Sequence, residues 1–178
     1  MSQTKATSNQ VPQRSILDRF DLQAYLGQQF KLAVSANYTN IAETPIYLIS
    51  NPSLVNSAFP NGRGLFILSR RLSCLTSGAS AIFRYYDSPL ITSTGIETPV
   101  INSRLSSTNS SVAAIYGPGQ FSVSSNGTYR STLISTTQDE AENCSITIID
   151  PGYTVLITCQ MSVGTGITCA SELIWNEI

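Results

Sequence analysis

Apolar residues recur at a spacing of two along most of this chain. From Gln29 onwards, short runs rich in Ile, Val, Leu and aromatic residues alternate with Ser, Thr and Asn. Read as strands, the runs predict elements at 30–35, 43–50, 64–75, 80–87, 99–102, 112–116, 130–137, 144–149, 153–160 and 167–175. Turn chemistry separates them at Asn51-Pro52, Pro60-Asn61-Gly62, Gly117-Pro118-Gly119, Asn126-Gly127, Pro151-Gly152 and Gly164-Thr165-Gly166. No ten-residue segment after residue 30 has helical periodicity. Before it the pattern differs. Residues 1–15 are polar, and the stretch from Ile16 to Phe30 places Ile16, Phe20 and one or two later leucines at roughly helical spacing, with Gly27 as a stop. A short helix, an apolar strap on another surface and a lead-in packed on its own domain all fit that segment.

Two apolar runs between Gly62 and Ser88 flank Thr76-Ser77-Gly78-Ala79, which predicts a tight hairpin. With Ser77-Gly78 as the turn, Leu72 faces Phe83 and Cys74 faces Ala81. Phe66, Leu68 and Leu72 then share a side with Phe83 and Tyr85, while Arg71, Arg84 and Tyr86 lie on the other. In that register Arg71 and Arg84 are cross-strand neighbours. Like charges so placed destabilise a sheet, so either a carboxylate from this chain or a neighbour sits between them, or the turn has another length or the side chains splay into solvent. Asp150-Pro151-Gly152-Tyr153 has the residue types of a type II turn. If it closes a hairpin, Cys144 lies opposite Cys159, near the geometric limit for a disulfide. The other reading is four buried thiols acting as small hydrophobic residues.

So many strands in 178 residues must close into two packed sheets or a barrel to hide their apolar faces. Long loops at 50–63 and 137–143 favour the sandwich. The expected fold class is all-β, an antiparallel two-sheet jelly-roll sandwich of 8–10 strands over residues 29–178. Residues 1–28 form an N-terminal arm or short helix ahead of it.

Charged residues make up only 12% of the chain, about half the usual share, so Ser, Thr and Asn must supply the polar surface. A net charge of −1 gives no electrostatic case for a nucleic-acid or membrane partner. Two lysines against eight arginines lean towards a subunit that spends surface on neighbours, because Arg suits interfaces and Lys suits solvent. The first residues lack the apolar core of a signal peptide, and no run approaches the ~18 apolar residues of a membrane span. Synthesis and assembly in a cytoplasm are expected.

The chain contains no histidine, which removes His-dependent nucleophilic catalysis and nearly all zinc sites. Its cysteines, spaced 70, 15 and 10 residues apart, contain no C-x-x-C pair. Each Gly-x-Gly lies in a turn with no helix after it, unlike a phosphate cradle. Asp139, Glu140 and Glu142 could form a divalent-ion site or an acid/base pair, but a solvated acidic loop accounts for them more simply. No catalytic, cofactor-binding or metal residue is therefore assigned, and the chain is expected not to be an enzyme. The candidate interface residues are Ile16, Phe20, Leu22, Tyr25 and Leu26 of the arm, with Arg71, Arg84 and Tyr86 of the sheet. Tyr85-Tyr86, with Tyr38, Tyr47 and Tyr116, could line a sugar-binding groove, or be core edge or subunit contact.

Several stretches occur in an order with a precedent: Ile46–Pro52 (IYLISNP), Leu65–Leu72, Ala81–Pro89 (AIFRYYDSP), Ile96–Asn102 (IETPVIN), Pro151–Thr158 (PGYTVLIT) and Glu172–Glu177 (ELIWNE). From Glu43 to Ile178 the chain resembles small structural proteins of tailed-bacteriophage virions. The resemblance implies a β-jelly-roll subunit, commonly trimeric, that decorates a capsid or forms part of a fibre or neck. On that basis the expected function is a capsid decoration (cement) subunit, a homotrimer that contacts other virion proteins such as the major capsid protein. The alternative is a receptor- or glycan-binding jelly-roll module of a tail, neck or head fibre. The resemblance brings no catalytic residues. Four cysteines and the lack of a Gly-rich stalk depart from a long self-standing fibre.

Overall fold

The computed structural model describes residues 26–38, 42–52, 62–74, 79–136, 141–142, 147–163 and 166–178. Among them there is no helix, and thirteen strands run in chain order. They are β1 (Gln29–Tyr38), β2 (Thr44–Ser50), β3 (Leu65–Cys74), β4 (Ser80–Asp87), β5 (Leu90–Thr94), β6 (Ile101–Asn102) and β7 (Ala114–Tyr116). After these come β8 (Phe121–Ser125), β9 (Thr128–Thr136), β10 (Ala141–Glu142), β11 (Thr147–Ile149), β12 (Thr154–Val163) and β13 (Ile167–Glu177).

One sheet has the order β10-β3-β13-β1-β6, with β11 also on β3, and the second has the order β7-β2-β12-β4-β9. All pairings are antiparallel. The ladders are nested: β4 pairs β9, β3 pairs β10 and β11, β2 pairs β12, and β1 pairs β13. A long hairpin rolled up so that successive ladders fall on opposite sheets gives this order, and it is a jelly roll. Rolling brings both apolar faces together, because a sheet with one greasy side must cover it with another layer.

The roll also corrects the expected hairpins. β3 and β4 belong to different sheets, so Leu72 does not face Phe83, nor Cys74 Ala81; residue 75–78 of the expected turn lie outside the described residues. Pro151-Gly152 does form its turn, with Gly152 at φ 86° and Tyr153 N–H donating to the Asp150 carbonyl at 3.1 Å. However, it carries the chain from β11 in one sheet to β12 in the other. Cys159 therefore lies opposite Thr44 and Phe83 and is a free thiol, so the Cys144–Cys159 hairpin pairing fails. Cys144 itself lies outside the described residues. Arg71 and Arg84 are likewise on different sheets. Arg71 is in register with Glu142 on one side and Glu172 on the other. Turn residue types encode a change of direction, not whether the next strand returns alongside or crosses the ~10 Å between sheets.

The core lies between the sheets, and its largest side chain is Trp175, which stacks on its register partner Phe30 at 6.0 Å between ring centroids. Phe83 and Tyr85 of β4 and Val155, Ile157, Cys159 and Met161 of β12 face it from the second sheet. β2 is buried on both sides. A bulge opposite Ile157/Thr158 admits both Ile46 and Tyr47 to the core, while Leu48 points outward. The β5–β8 ribbon covers that outer side, where Phe121 closes over Leu48 and Leu156 with Tyr86, Tyr116 and Val123 around them. Hence Ile46–Ile49 is a continuous apolar run and not an alternating one.

Candidate functional site

Two constellations stand out from the scaffold. The first is a corner where the described chain begins. Gly27 adopts φ 70° there, and the following Gln28 carbonyl accepts from Glu177 N–H at 2.9 Å. Asn102 Nδ2 donates to the Gly27 carbonyl at 2.9 Å, and Asn109 Nδ2 donates to the Leu26 carbonyl at 3.2 Å. Leu26–Gln28 is thus bound to the 102–109 loop as part of the domain, although the sequence places it in the arm.

The chain just after that loop, at Ser111 and Val112, is held by Glu177, whose side chain is fully buried. Its Oε1 accepts from Ser111 Oγ at 2.5 Å, Val112 N–H at 2.9 Å and Trp175 Nε1 at 3.3 Å. Arg63 Nη1 lies 3.6 Å from Oε2. A buried carboxylate costs several kcal/mol unless its lone pairs are met, and here donors from three segments meet them. A cleft of about 360 Å³ opens beside it between Phe30, Val100, Asn102 and Ser111. Around this corner Leu26, Ile101 and Leu105 remain exposed, Leu105 at 96%.

The second constellation lies on the outer face of the second sheet. Glu43 Oε2 accepts from Arg84 Nη1 at 3.1 Å, and its Oε1 accepts from Tyr86 Oη at 2.8 Å and Thr158 Oγ1 at 2.5 Å. Arg84 Nη1 also donates to Gln160 Oε1 at 2.8 Å. Tyr86 meets Tyr129 edge to face at 5.9 Å, and Tyr129 is more than half exposed. The carboxylate expected beside Arg84 is there, supplied by Glu43 of this chain, but for Arg84 and Tyr86 together and not for Arg84 and Arg71.

Burial, and then the hydrogen bond to Glu43, push the Tyr86 phenol above its usual pKa of 10.0. Stability contributed by the neutral phenol is therefore present in full below about pH 10 and is lost as pH rises through the higher folded value. Tyr86→Phe is expected to cost about 1–2 kcal/mol at pH 7. In urea titrations its deficit against the wild type should shrink at strongly alkaline pH. An unchanged gap would mean that the hydroxyl is not the group responsible.

The structure gathers few of the other candidate residues. Tyr85 and Tyr47 are buried in the core, so neither lines a groove. Tyr116 packs under the β5–β8 ribbon. Ile16, Phe20, Leu22, Tyr25, Asp139 and Glu140 lie outside the described residues, as does the side chain of Arg71. Glu43, Glu177 and Asn51 were missed. Asn51 is fully buried; its Nδ2 donates to the carbonyls of Arg63 at 2.7 Å and Ile149 at 2.8 Å, tying three segments together. Its place before Pro52 at a strand end was the available signal. Among the described residues no group of three His, Cys, Asp or Glu side chains could hold a metal ion.

Comparison with protein-family models finds no match, and comparison with curated proteins finds none either.

Proposed function

We propose that the chain is a structural subunit of a tailed-phage virion, a capsid decoration protein that works as a homotrimer. In this reading the N-terminal arm and the corner from which it emerges grip the major capsid protein. The observation that carries it is that corner, where Leu26, Ile101 and Leu105 face solvent on backbone braced by Asn102, Asn109 and Glu177. Exposed apolar side chains on a hydrogen-bonded backbone can be buried by a partner without the further cost of ordering a loop. The jelly roll adds support, being an architecture that viral capsid and lectin domains share. A contact of ~800 Å² per partner, repeated over a shell, stiffens a particle without any single strong bond.

The test is binding to purified shells. Removal of residues 2–25 spares Leu26–Gln28, whose backbone belongs to the domain. That deletion and Leu105→Glu are each expected to leave the fold intact and weaken shell binding at least tenfold. Native mass spectrometry is expected to report three copies. If both variants bind shells as the full chain does, the reading is wrong.

A glycan-binding module is the second reading. Tyr86 and Tyr129 favour it, because they offer ring surface beside the polar groups of Glu43, Arg84 and Gln160. Glycan-array binding that Tyr129→Ala abolishes would place it ahead of the first.

A further inference from the structure

Two cysteines meet across the middle of the sandwich. Cys159 lies on β12, central in the second sheet, and Cys169 on β13, central in the first. Both are buried free thiols, and their Sγ atoms are 3.9 Å apart in a thiol–thiol hydrogen bond. We propose that this pair is an oxidisable site that closes into an inter-sheet disulfide, and that it does so in preference to a bridge between Cys169 and Cys74.

Geometry separates the possible partners. A disulfide needs its sulfurs about 2.05 Å apart, so each Sγ must move by roughly 1 Å, within reach of a small side-chain rotation. Cys74 is the register partner of Cys169 on the neighbouring strand. Directly opposed strand residues hold their Cβ atoms about 4.5–5.5 Å apart with side chains running parallel, which a disulfide bridges only with strain. Cys159 and Cys169 instead point at one another from opposite walls of the core.

The oxidant is a low-molecular-weight disulfide such as oxidised glutathione, which reaches the pair as the chain folds. One cysteine thiolate attacks its S–S bond, forming a mixed disulfide and releasing one glutathione. The second cysteine sulfur then displaces the other glutathione. Two protein thiols and one small disulfide become one protein disulfide and two small thiols, the protons ending on the released glutathione. Once the protein is folded, the hydrogen bond to Cys159 and burial hold the Cys169 thiol above its ordinary pKa. Thiolate is then scarce and exchange is slow. The product ties the two central strands and hence the two sheets. This holds whatever the surface of the protein binds.

The sequence allows a direct test on the unaltered chain. Protein refolded from urea in a glutathione redox buffer is alkylated, then cut with cyanogen bromide after Met161 and with a protease that cleaves before aspartate. Each cysteine then falls in its own fragment: Cys74 in 21–86, Cys144 in 139–149, Cys159 in 150–161 and Cys169 in 162–178. Mass spectrometry is expected to find 150–161 joined to 162–178 within one chain, separable by reductant. The linked protein is expected to melt roughly 5–10 °C above the reduced form. Fragment 162–178 joined to 21–86, 139–149 joined to 150–161, a link between two chains or no link at all would each overturn the proposal.

Discussion

Glu177→Ala is expected to lower the stability of the folded chain by about 3–5 kcal/mol, because three neutral donors lose their buried acceptor at about 1 kcal/mol or more each and a nearby guanidinium loses its carboxylate. The substitution removes the acceptor of Ser111 Oγ, Val112 N–H and Trp175 Nε1, and the carboxylate beside the Arg63 guanidinium. Arg63 is only about three-quarters buried and recovers part of its hydration. Domains of this size have 5–15 kcal/mol in total, so the loss is a large fraction. Urea unfolding of wild type and variant measures it directly. Glu177→Gln keeps the shape and one acceptor oxygen, and should lose less than the alanine variant. Equal losses would mean that charge is the whole effect and the hydrogen-bond geometry matters little. A loss below about 1 kcal/mol in Glu177→Ala would contradict the account of the corner, because Ser111 and Val112 would then be held by something else.

Gly127→Ala is expected to cost about 2–5 kcal/mol for a different reason. Gly127 sits between β8 and β9 at φ 88°, where a side chain is disfavoured by roughly 1–2 kcal/mol. A Cβ there would also come within 2.3 Å of the Asp87 carbonyl oxygen and 2.7 Å of that of Ser88. Both are backbone atoms, and Ser88 is fixed by its N–H donating to the Thr154 carbonyl at 3.0 Å. Relief therefore requires β4 or β9 to move, which adds the ~1–3 kcal/mol typical of overpacking. Gly119→Ala is the control. Gly119 has φ 77° but nothing within 4 Å of the added Cβ, so only the conformational part, about 1 kcal/mol, is expected. If the two substitutions cost the same, the close approach at Gly127 is not what matters.

The strands were largely legible because burial imposes its period on composition. Every predicted run overlaps an observed strand, and β4 coincides with its prediction at both ends. Thirteen strands exceed the expected 8–10 because β5, β8 and β10 were missed. Leu90–Thr94 is exposed along its whole length with no alternation to read, and Ala141–Glu142 falls in the expected 137–143 loop. Phe121-Ser122-Val123-Ser124 alternates but was passed over. Pairing was not legible. Both Ser77-Gly78 and Pro151-Gly152 are turns by residue type, yet β3 to β4 and β11 to β12 change sheets. The candidate sites fared similarly. Arg84 and Tyr86 were chosen, but Glu43, the group that unites them, lies 41 residues from Arg84 and carries no local mark of its role.

By itself, then, the sequence determined that this protein is built of strands, which residues turn the chain and that its apolar faces must meet in a two-sheet core. Those properties are local, set by side-chain alternation and by the backbone demands of Gly, Pro and Asn. Only the tertiary structure decided which strands are neighbours, which arginine meets which carboxylate and which thiols come within 3.9 Å of one another. Such choices are made between segments far apart in the chain, by the requirement that every buried face and every buried polar group find a partner at once.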